Sequence, residues 1–118
     1  MIRRDWLQSM VDVLTQALGA ALGLKKKGGI QAAATTLEGA IQKAFGMNPK
    51  LALGLPLKEF IALGCRGDKP PAEVLLSLSK VFGEWGGLLQ AQGRQGEAAM
   101  ALFRAEELLQ LANAKPSP

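Results

Sequence analysis

The stretch from Phe82 to Ala112 restricts the fold most strongly, because it reads as two helices joined at Gly93. Apolar residues recur at spacings of three and four on both sides of the polar turn around this glycine. Such spacing places apolar side chains on one face of an α-helix. Glycine readily adopts the left-handed conformation that ends a helix. The first apolar stripe contains Val74, Leu78, Val81, Phe82, Trp85, Leu88 and Leu89.

The second helix of this hairpin is predicted from Gln95 to Asn113. Two glycines, Gly86 and Gly87, interrupt the stripe of the first helix, and each costs roughly 1 kcal/mol relative to alanine. We therefore expect another helix to approach closely over Gly86. The predicted inward stripe of the second helix alternates small and large residues, namely Ala98, Leu102, Ala105, Leu109 and Ala112.

The first part of the chain repeats this plan. One helix is predicted from about Arg3 to Leu22 and another from about Ile30 to Phe45, with a turn at Gly28. Matching residues of the two hairpins are separated by a constant offset of 65 positions. The pairs are Ala33 and Ala98, Leu37 and Leu102, Ala40 and Ala105, Ala21 and Gly86, Leu24 and Leu89, and Gly28 and Gly93.

The middle of the chain is predicted to hold one short helix instead of a pair. Asn48 and Pro49 are expected to prevent the preceding helix from resuming, Pro56 to open the short helix and Gly64 to close it. A loop then leads to Pro71, where the next helix starts. No stretch alternates with the period of a strand. The prediction is a single all-α domain of about five helices over residues 1–114, with a disordered tail at 115–118.

The hairpin around Gly93 resembles a tetratricopeptide repeat. The residues that carry the resemblance are Phe82, Trp85, Gly86, Leu89, Ala98, Leu102 and Ala105. Gln110 stands where that family has a closing proline, and Gln95 stands where an aromatic residue is usual. The resemblance implies a short array of antiparallel helix pairs that binds other proteins.

The opening residues 1–6, Met-Ile-Arg-Arg-Asp-Trp, followed by a helix and a basic turn, are similar to a bacterial family of short tetratricopeptide-like proteins of unknown function. That similarity implies the same fold and a cytoplasmic bacterial setting, and it implies no activity. The longest uncharged stretch, Val13 to Leu24, is 12 residues, and a membrane span needs about 20. With no pattern typical of a signal peptide, we expect a cytoplasmic protein without a membrane partner.

The composition speaks against several kinds of chemistry. The chain has no histidine, no tyrosine and one cysteine, Cys65. A catalytic triad with a histidine base and a zinc site built on histidine and cysteine are therefore excluded. The segment from Gly23 to Gly29 has lysines and glycines but lacks the spacing of a phosphate-binding loop. We expect no enzyme activity, no cofactor and no metal, and we interpret Cys65 as a small apolar filler.

Charge is distributed unevenly along the chain. Residues 1–50 hold seven Lys or Arg and three Asp or Glu, a net charge of +4, while residues 51–118 hold seven of each. In the tetratricopeptide family, the first helices of successive units line a concave groove. Carried over by resemblance, this predicts a basic groove for an acidic peptide. Its candidate peptide-binding residues are Thr15, Lys25, Lys26, Lys80 and Gln90.

Two other interpretations follow from the same residues. The excess charge is also explained by lysines that complement a helix dipole, and nucleic acid is not an expected ligand because no aromatic residues are interleaved with the basic ones. The alternative function is a homo-oligomeric assembly protein, such as a homodimer. It is suggested by an apolar middle segment that a small fold cannot easily hide, comprising Leu51, Leu53, Leu55, Leu57, Phe60 and Ile61.

Overall fold

Six α-helices form the part of the chain described by the structure, a computed structural model that covers residues 2–67 and 69–114 and side chains from Trp6 onward. Their bounds are α1 Ile2–Lys26, α2 Ile30–Phe45, α3 Pro49–Gly54, α4 Leu57–Gly64, α5 Ala72–Ala91 and α6 Gln95–Asn113. The all-α prediction is confirmed, with six helices instead of about five. The tail predicted at 115–118 lies outside the described residues.

The turns of the two long hairpins, α1–α2 and α5–α6, have the same backbone structure. Gly28 and Gly93, which are 65 positions apart, both have positive φ angles, 82° and 78°. The hydrogen bonds also match at this offset: Gly28 N to Lys25 O (3.0 Å) with Gly93 N to Gln90 O (2.9 Å), and Gly29 N to Leu24 O (2.8 Å) with Arg94 N to Leu89 O (2.9 Å). The constant offset in the sequence therefore corresponds to a repeated local structure.

Helix α5 occupies the centre of the fold. The indole Nε1 of Trp85 donates to Glu38 Oε2 on α2 at 3.1 Å. On another side of α5, the hydroxyl of Ser79 donates to the carbonyl oxygen of Ala105 on α6 at 2.7 Å. Phe82 and Trp85 are fully buried. Most of the core is therefore built around this one helix.

The predicted close approach over Gly86 is confirmed. A Cβ atom at Gly86 would lie 2.7 Å from Cδ2 of Leu102 and 3.3 Å from its backbone nitrogen. The predicted stripe of α6 is only partly right, however, because Leu102 and Leu109 are each 37% exposed. Helix α6 also packs against α3. Its buried residues are Ala98, which was predicted, and Ala101, Arg104 and Leu108, which were not.

The prediction of a single helix in the middle segment is wrong. Asn48 and Pro49 begin α3 instead of preventing it, because the Asn48 side chain accepts hydrogen bonds from the backbone nitrogens of Lys50 at 2.9 Å and Leu51 at 3.4 Å. Asparagine is a favourable N-cap residue and proline suits the first turn of a helix. The predicted helix from Pro56 to Gly64 is present as α4. The middle segment thus holds two short helices, α3 and α4, between the two long hairpins.

Three phenylalanines connect the middle segment with both hairpins. The ring of Phe60 on α4 stacks on Phe45 of α2 at a centroid distance of 4.6 Å and meets Phe82 of α5 edge-on at 5.6 Å. Gly64 lets this arrangement form, since a Cβ there would lie 2.1 Å from the Phe45 ring. Cys65 is buried in the same core, as expected for a small filler.

Helix α1 is apolar but poorly covered. The window Trp6–Lys26 has a mean hydropathy of 1.2, and 22% of the helix's apolar window is buried in the fold. By length and composition it is the one helix among the described residues that could cross a membrane, and core helices of soluble proteins meet the same criteria. Its buried residues are Met10, Val11, Leu14 and Ala21.

Candidate peptide-binding face

Helices α1 and α5 lie side by side and run in the same general direction. At one end, the guanidinium of Arg66, shortly before α5, lies 4.9 Å from the centroid of the Trp6 ring near the start of α1. Toward the other end, the ammonium of Lys25 lies 3.1 Å from Oε1 of Glu84 on α5. The two helices that carry the candidate residues therefore share one surface, which we call the α1–α5 face.

Lys25 and Lys80 are brought to this face from different helices. Glu84 pairs with Lys25 and follows Lys80 by four residues on α5. Residues four apart lie on the same face of a helix. Lys80 therefore lies one turn along α5 from the point where Lys25 reaches this helix, and its side chain is exposed.

Thr15, Lys26 and Gln90 are also exposed but extend away from this point. Thr15 precedes Lys25 by ten residues, about 15 Å along the axis of α1. Gln90 follows Lys80 by the same interval on α5. Among the described side chains, no hydrogen bond or ion pair joins these three to the other candidates. The five residues thus mark a surface about 15 Å long instead of one compact pocket.

The sequence prediction did not include two features of the α1–α5 face. Glu84 places a carboxylate next to Lys25, and Leu76 contributes an apolar side chain that is 37% exposed. Leu76, Lys80 and Glu84 follow one another at intervals of four, so the spacing on α5 was the signal that could have identified them. On α1, Leu22 is 41% exposed.

The face carries three lysines, Lys25, Lys26 and Lys80, together with Glu84 and the exposed carboxylates of Asp12 and Glu73, which stand three residues before Thr15 and seven before Lys80. The side chains of the Lys25–Glu84 pair are 48% and 22% exposed. Ion pairs with this much exposure contribute below about 1 kcal/mol. A carboxylate from a ligand can therefore exchange with Glu84 at little cost.

Other concavities lie elsewhere. One of about 350 Å³ is lined by α2 and the start of α3, including Glu38, Gln42 and Asn48. Another of about 320 Å³ lies between the α3–α4 linker and α6, beside Phe103 and Arg104. Within the described residues, no group of three or more Cys, Asp or Glu is arranged to hold a metal ion.

Comparison with known proteins finds no matching family model, no similar curated protein and no similar solved structure. The resemblance to tetratricopeptide repeats and to a bacterial family of unknown function therefore remains a prediction from the sequence. The residues that bear on function are those of the α1–α5 face and of the surfaces around it.

Proposed function

We propose that this protein is a non-catalytic helical-repeat module that binds an extended acidic segment of a partner protein on the α1–α5 face. The observation that carries the proposal is the placement of exposed lysines from two neighbouring helices beside exposed leucines. Lys25 and Lys80 lie about one helical turn apart, and Leu22 and Leu76 are 41% and 37% exposed. Ammonium groups pair with carboxylates, and leucine side chains accept the apolar groups of an extended chain.

A tetratricopeptide-like arrangement is part of this proposal. The matching turns at Gly28 and Gly93 and the two long antiparallel hairpins support it. In the tetratricopeptide family the first helix of each unit lines the ligand-binding surface, and α1 and α5 are the first helices of the two hairpins. A cytoplasmic bacterial setting is proposed from the separate similarity of residues 1–6 to a bacterial family of unknown function.

A selection of random 12-residue peptides displayed on phage tests the proposal. We expect peptides selected on the protein to be enriched in Asp and Glu. Their affinity is expected to fall at least tenfold when Lys25, Lys26 and Lys80 are all replaced by Glu, because three attractions become repulsions. Affinity should also fall with added salt.

The matched control replaces three exposed lysines outside the face, Lys43, Lys50 and Lys58, by Glu. This variant has the same net charge as the first but an intact α1–α5 face. Equal loss of affinity in both variants would show a general effect of charge. Selected peptides without an acidic bias would contradict the proposed ligand.

Self-assembly is the second candidate function, and exposed apolar side chains favour it. The middle segment keeps two of them, since Leu51 and Leu63 are 63% and 61% exposed, although Leu53 and Phe60 are buried. A further set lies on α6 and is not confined to one side of that helix. It comprises Met100, Leu102, Phe103, Leu109 and Leu111, which are 37–66% exposed.

A further inference from the structure

The charged residues of the α1–α5 face change sign along its length. Asp12 on α1 and Glu73 in the first turn of α5 are exposed and come before the lysines of their helices. Lys26 follows Asp12 by fourteen residues, and Lys80 follows Glu73 by seven. Both intervals are close to whole numbers of helical turns, so the members of each pair lie on one side of their helix. Each helix therefore presents a carboxylate first and an ammonium group later on the same side.

The two helices place these changes of sign side by side. Lys25 and Glu84, which pair across the face, are 59 residues apart in the sequence. Asp12 and Glu73 are separated by nearly the same interval, 61 residues, and the two helices run in the same general direction. The two carboxylates thus lie at similar heights on the face, which we call the acidic end. The other end, which we call the basic end, comprises Lys25, Lys26 and Lys80.

Helix dipoles account for only part of this arrangement. A carboxylate in the first turn of a helix and an ammonium group in the last turn are stabilising, which explains Glu73 and Lys26. Asp12 and Lys80 lie in the interior of α1 and α5, where that effect has faded. Asp12 accepts a hydrogen bond from Nε2 of Gln8 at 3.1 Å. Among the described side chains, no ion pair involves Asp12 or Lys80, so both charges are available to a ligand.

Two cations near the acidic end are directed elsewhere. The guanidinium of Arg66 lies 4.9 Å from the centroid of the Trp6 ring. Lys69, which precedes α5, lines a concavity beside Leu111 of α6. Within the part of the chain that the structure describes, neither forms an ion pair with the two carboxylates. The acidic end therefore complements a cation from a partner.

We propose that the segment bound on the α1–α5 face is itself polarised, with its carboxylates at the basic end and its own Lys or Arg at the acidic end. Apolar side chains of the segment lie between, against Leu22 and Leu76, which are 41% and 37% exposed. Asp12 and Lys26 are about 21 Å apart along α1, which about six residues of extended chain span. This inference rests on the proposed function and deepens it, because complementary charge fixes the direction in which the segment lies.

Isothermal titration calorimetry with two 12-residue peptides of identical composition tests the proposal. The polarised peptide carries Glu residues at one end and Lys residues about six positions away, with leucines between; the mixed peptide alternates the same charges. Because the net charge is equal, general attraction to the lysines is the same. The polarised peptide is expected to bind about fivefold more tightly at low salt, since two exposed ion pairs form at the acidic end. Equal affinities would overturn the proposal.

A variant of the acidic end gives effects of opposite sign. Asp12→Asn with Glu73→Gln is expected to weaken binding of the polarised peptide about fivefold and to strengthen binding of a peptide whose only charges are Glu, because it removes an attraction in one case and a repulsion in the other. Damage to the fold would weaken both. The matched control, Glu59→Gln with Glu106→Gln, removes two exposed carboxylates outside the face and is expected to preserve the preference. Effects of the same sign on both peptides would overturn the proposal.

Nitroxide labels on the polarised peptide report its direction. A label at the Lys end is expected to broaden the amide NMR signals of Asp12 and Glu73, and a label at the Glu end those of Lys26 and Lys80. Equal broadening at both ends from either label would also overturn the proposal. If acidic peptides bind without preference for the polarised sequence, only this inference fails; if no acidic peptide binds, the proposed function fails with it.

Discussion

The α1–α2 and α5–α6 hairpins share a turn but differ in their surroundings. Both turns use a glycine with positive φ and the same backbone hydrogen bonds. Yet Leu37 on α2 is fully buried, and its counterpart Leu102 on α6 is 37% exposed. Helix α2 is enclosed by α1, α5 and the middle segment, while α6 has neighbours on one side. Local residues thus determine the turn, and the position in the array determines burial.

Helix residues at equivalent positions of the two hairpins also differ in their surroundings. Ala21 on α1 and Gly86 on α5 are both buried, but only the glycine has Leu102 lying against it. At Ala21, which is fully buried, a methyl group is accommodated. Equivalent positions therefore place different demands on the side chain. The substitutions below test how far the two hairpins are equivalent.

The largest loss of stability is expected where the middle segment packs against both hairpins. Phe60→Ala removes a fully buried ring that contacts Phe45 and Phe82, and it also removes the ring that Arg104 covers at 4.8 Å. The free energy of unfolding is expected to fall by about 3–5 kcal/mol. Urea denaturation measures it. Phe103→Ala is the control, because this ring is 66% exposed, and a change above about 1 kcal/mol there would contradict the assignment of the core.

Gly86→Ala tests the close approach that distinguishes α5 from α1. The new Cβ would overlap Leu102, so the free energy of unfolding is expected to fall by about 1–3 kcal/mol. Gly87→Ala, at the next position, meets nothing within 4 Å and is expected to raise stability by up to about 1 kcal/mol through helix propensity. Similar effects at both positions would show that α6 does not approach α5 as described.

The equivalence of the turns has a quantitative test. Gly28→Ala and Gly93→Ala each place a side chain at positive φ with open space around it. Each substitution is expected to lower the free energy of unfolding by about 1–2 kcal/mol. Thermal or urea unfolding of both variants should give equal values within error. A difference of more than about 1 kcal/mol would mean that the turns are held differently despite their matching hydrogen bonds.

The smallest effect on stability is expected at the α1–α5 face. Glu84→Gln removes a partly exposed ion pair, so the free energy of unfolding should change by less than about 1 kcal/mol. The affinity for acidic peptides is expected to rise, because Lys25 no longer has a competing carboxylate. Isothermal titration calorimetry with one selected peptide measures the change. An affinity lower than that of the wild type would show that Glu84 assists binding.

Much of the fold is predictable because its signals are local. The bounds of α2 and α6, the glycines at both turns and the close approach over Gly86 all follow from residue spacing. Helix α4 was predicted and α3 was not, because Asn48 and Pro49 can either stop one helix or begin the next. Which outcome occurs depends on whether the following residues can bury themselves, as Leu53 does in the core.

The orientation of α6 and the composition of the α1–α5 face depend on tertiary contacts. Spacing alone placed Leu102 and Leu109 inward, but α6 also contacts α3, and there Arg104 donates to the carbonyl oxygens of Ala52 and Leu55. Similarly, no local pattern connects Lys25 with Glu84, which are 59 residues apart in the sequence. Long-range partners of this kind are not readable from a single sequence. The candidate lysines were predicted, and the carboxylate between them was not.

Titration of the ¹⁵N-labelled protein with a selected acidic peptide, followed by NMR, shows whether α1 and α5 together form one ligand surface. We expect chemical-shift changes at Leu22 and Lys25 on α1 and at Leu76 and Lys80 on α5, saturating together with a single affinity. Changes confined to α6, or to only one of the two helices, would contradict a shared α1–α5 face.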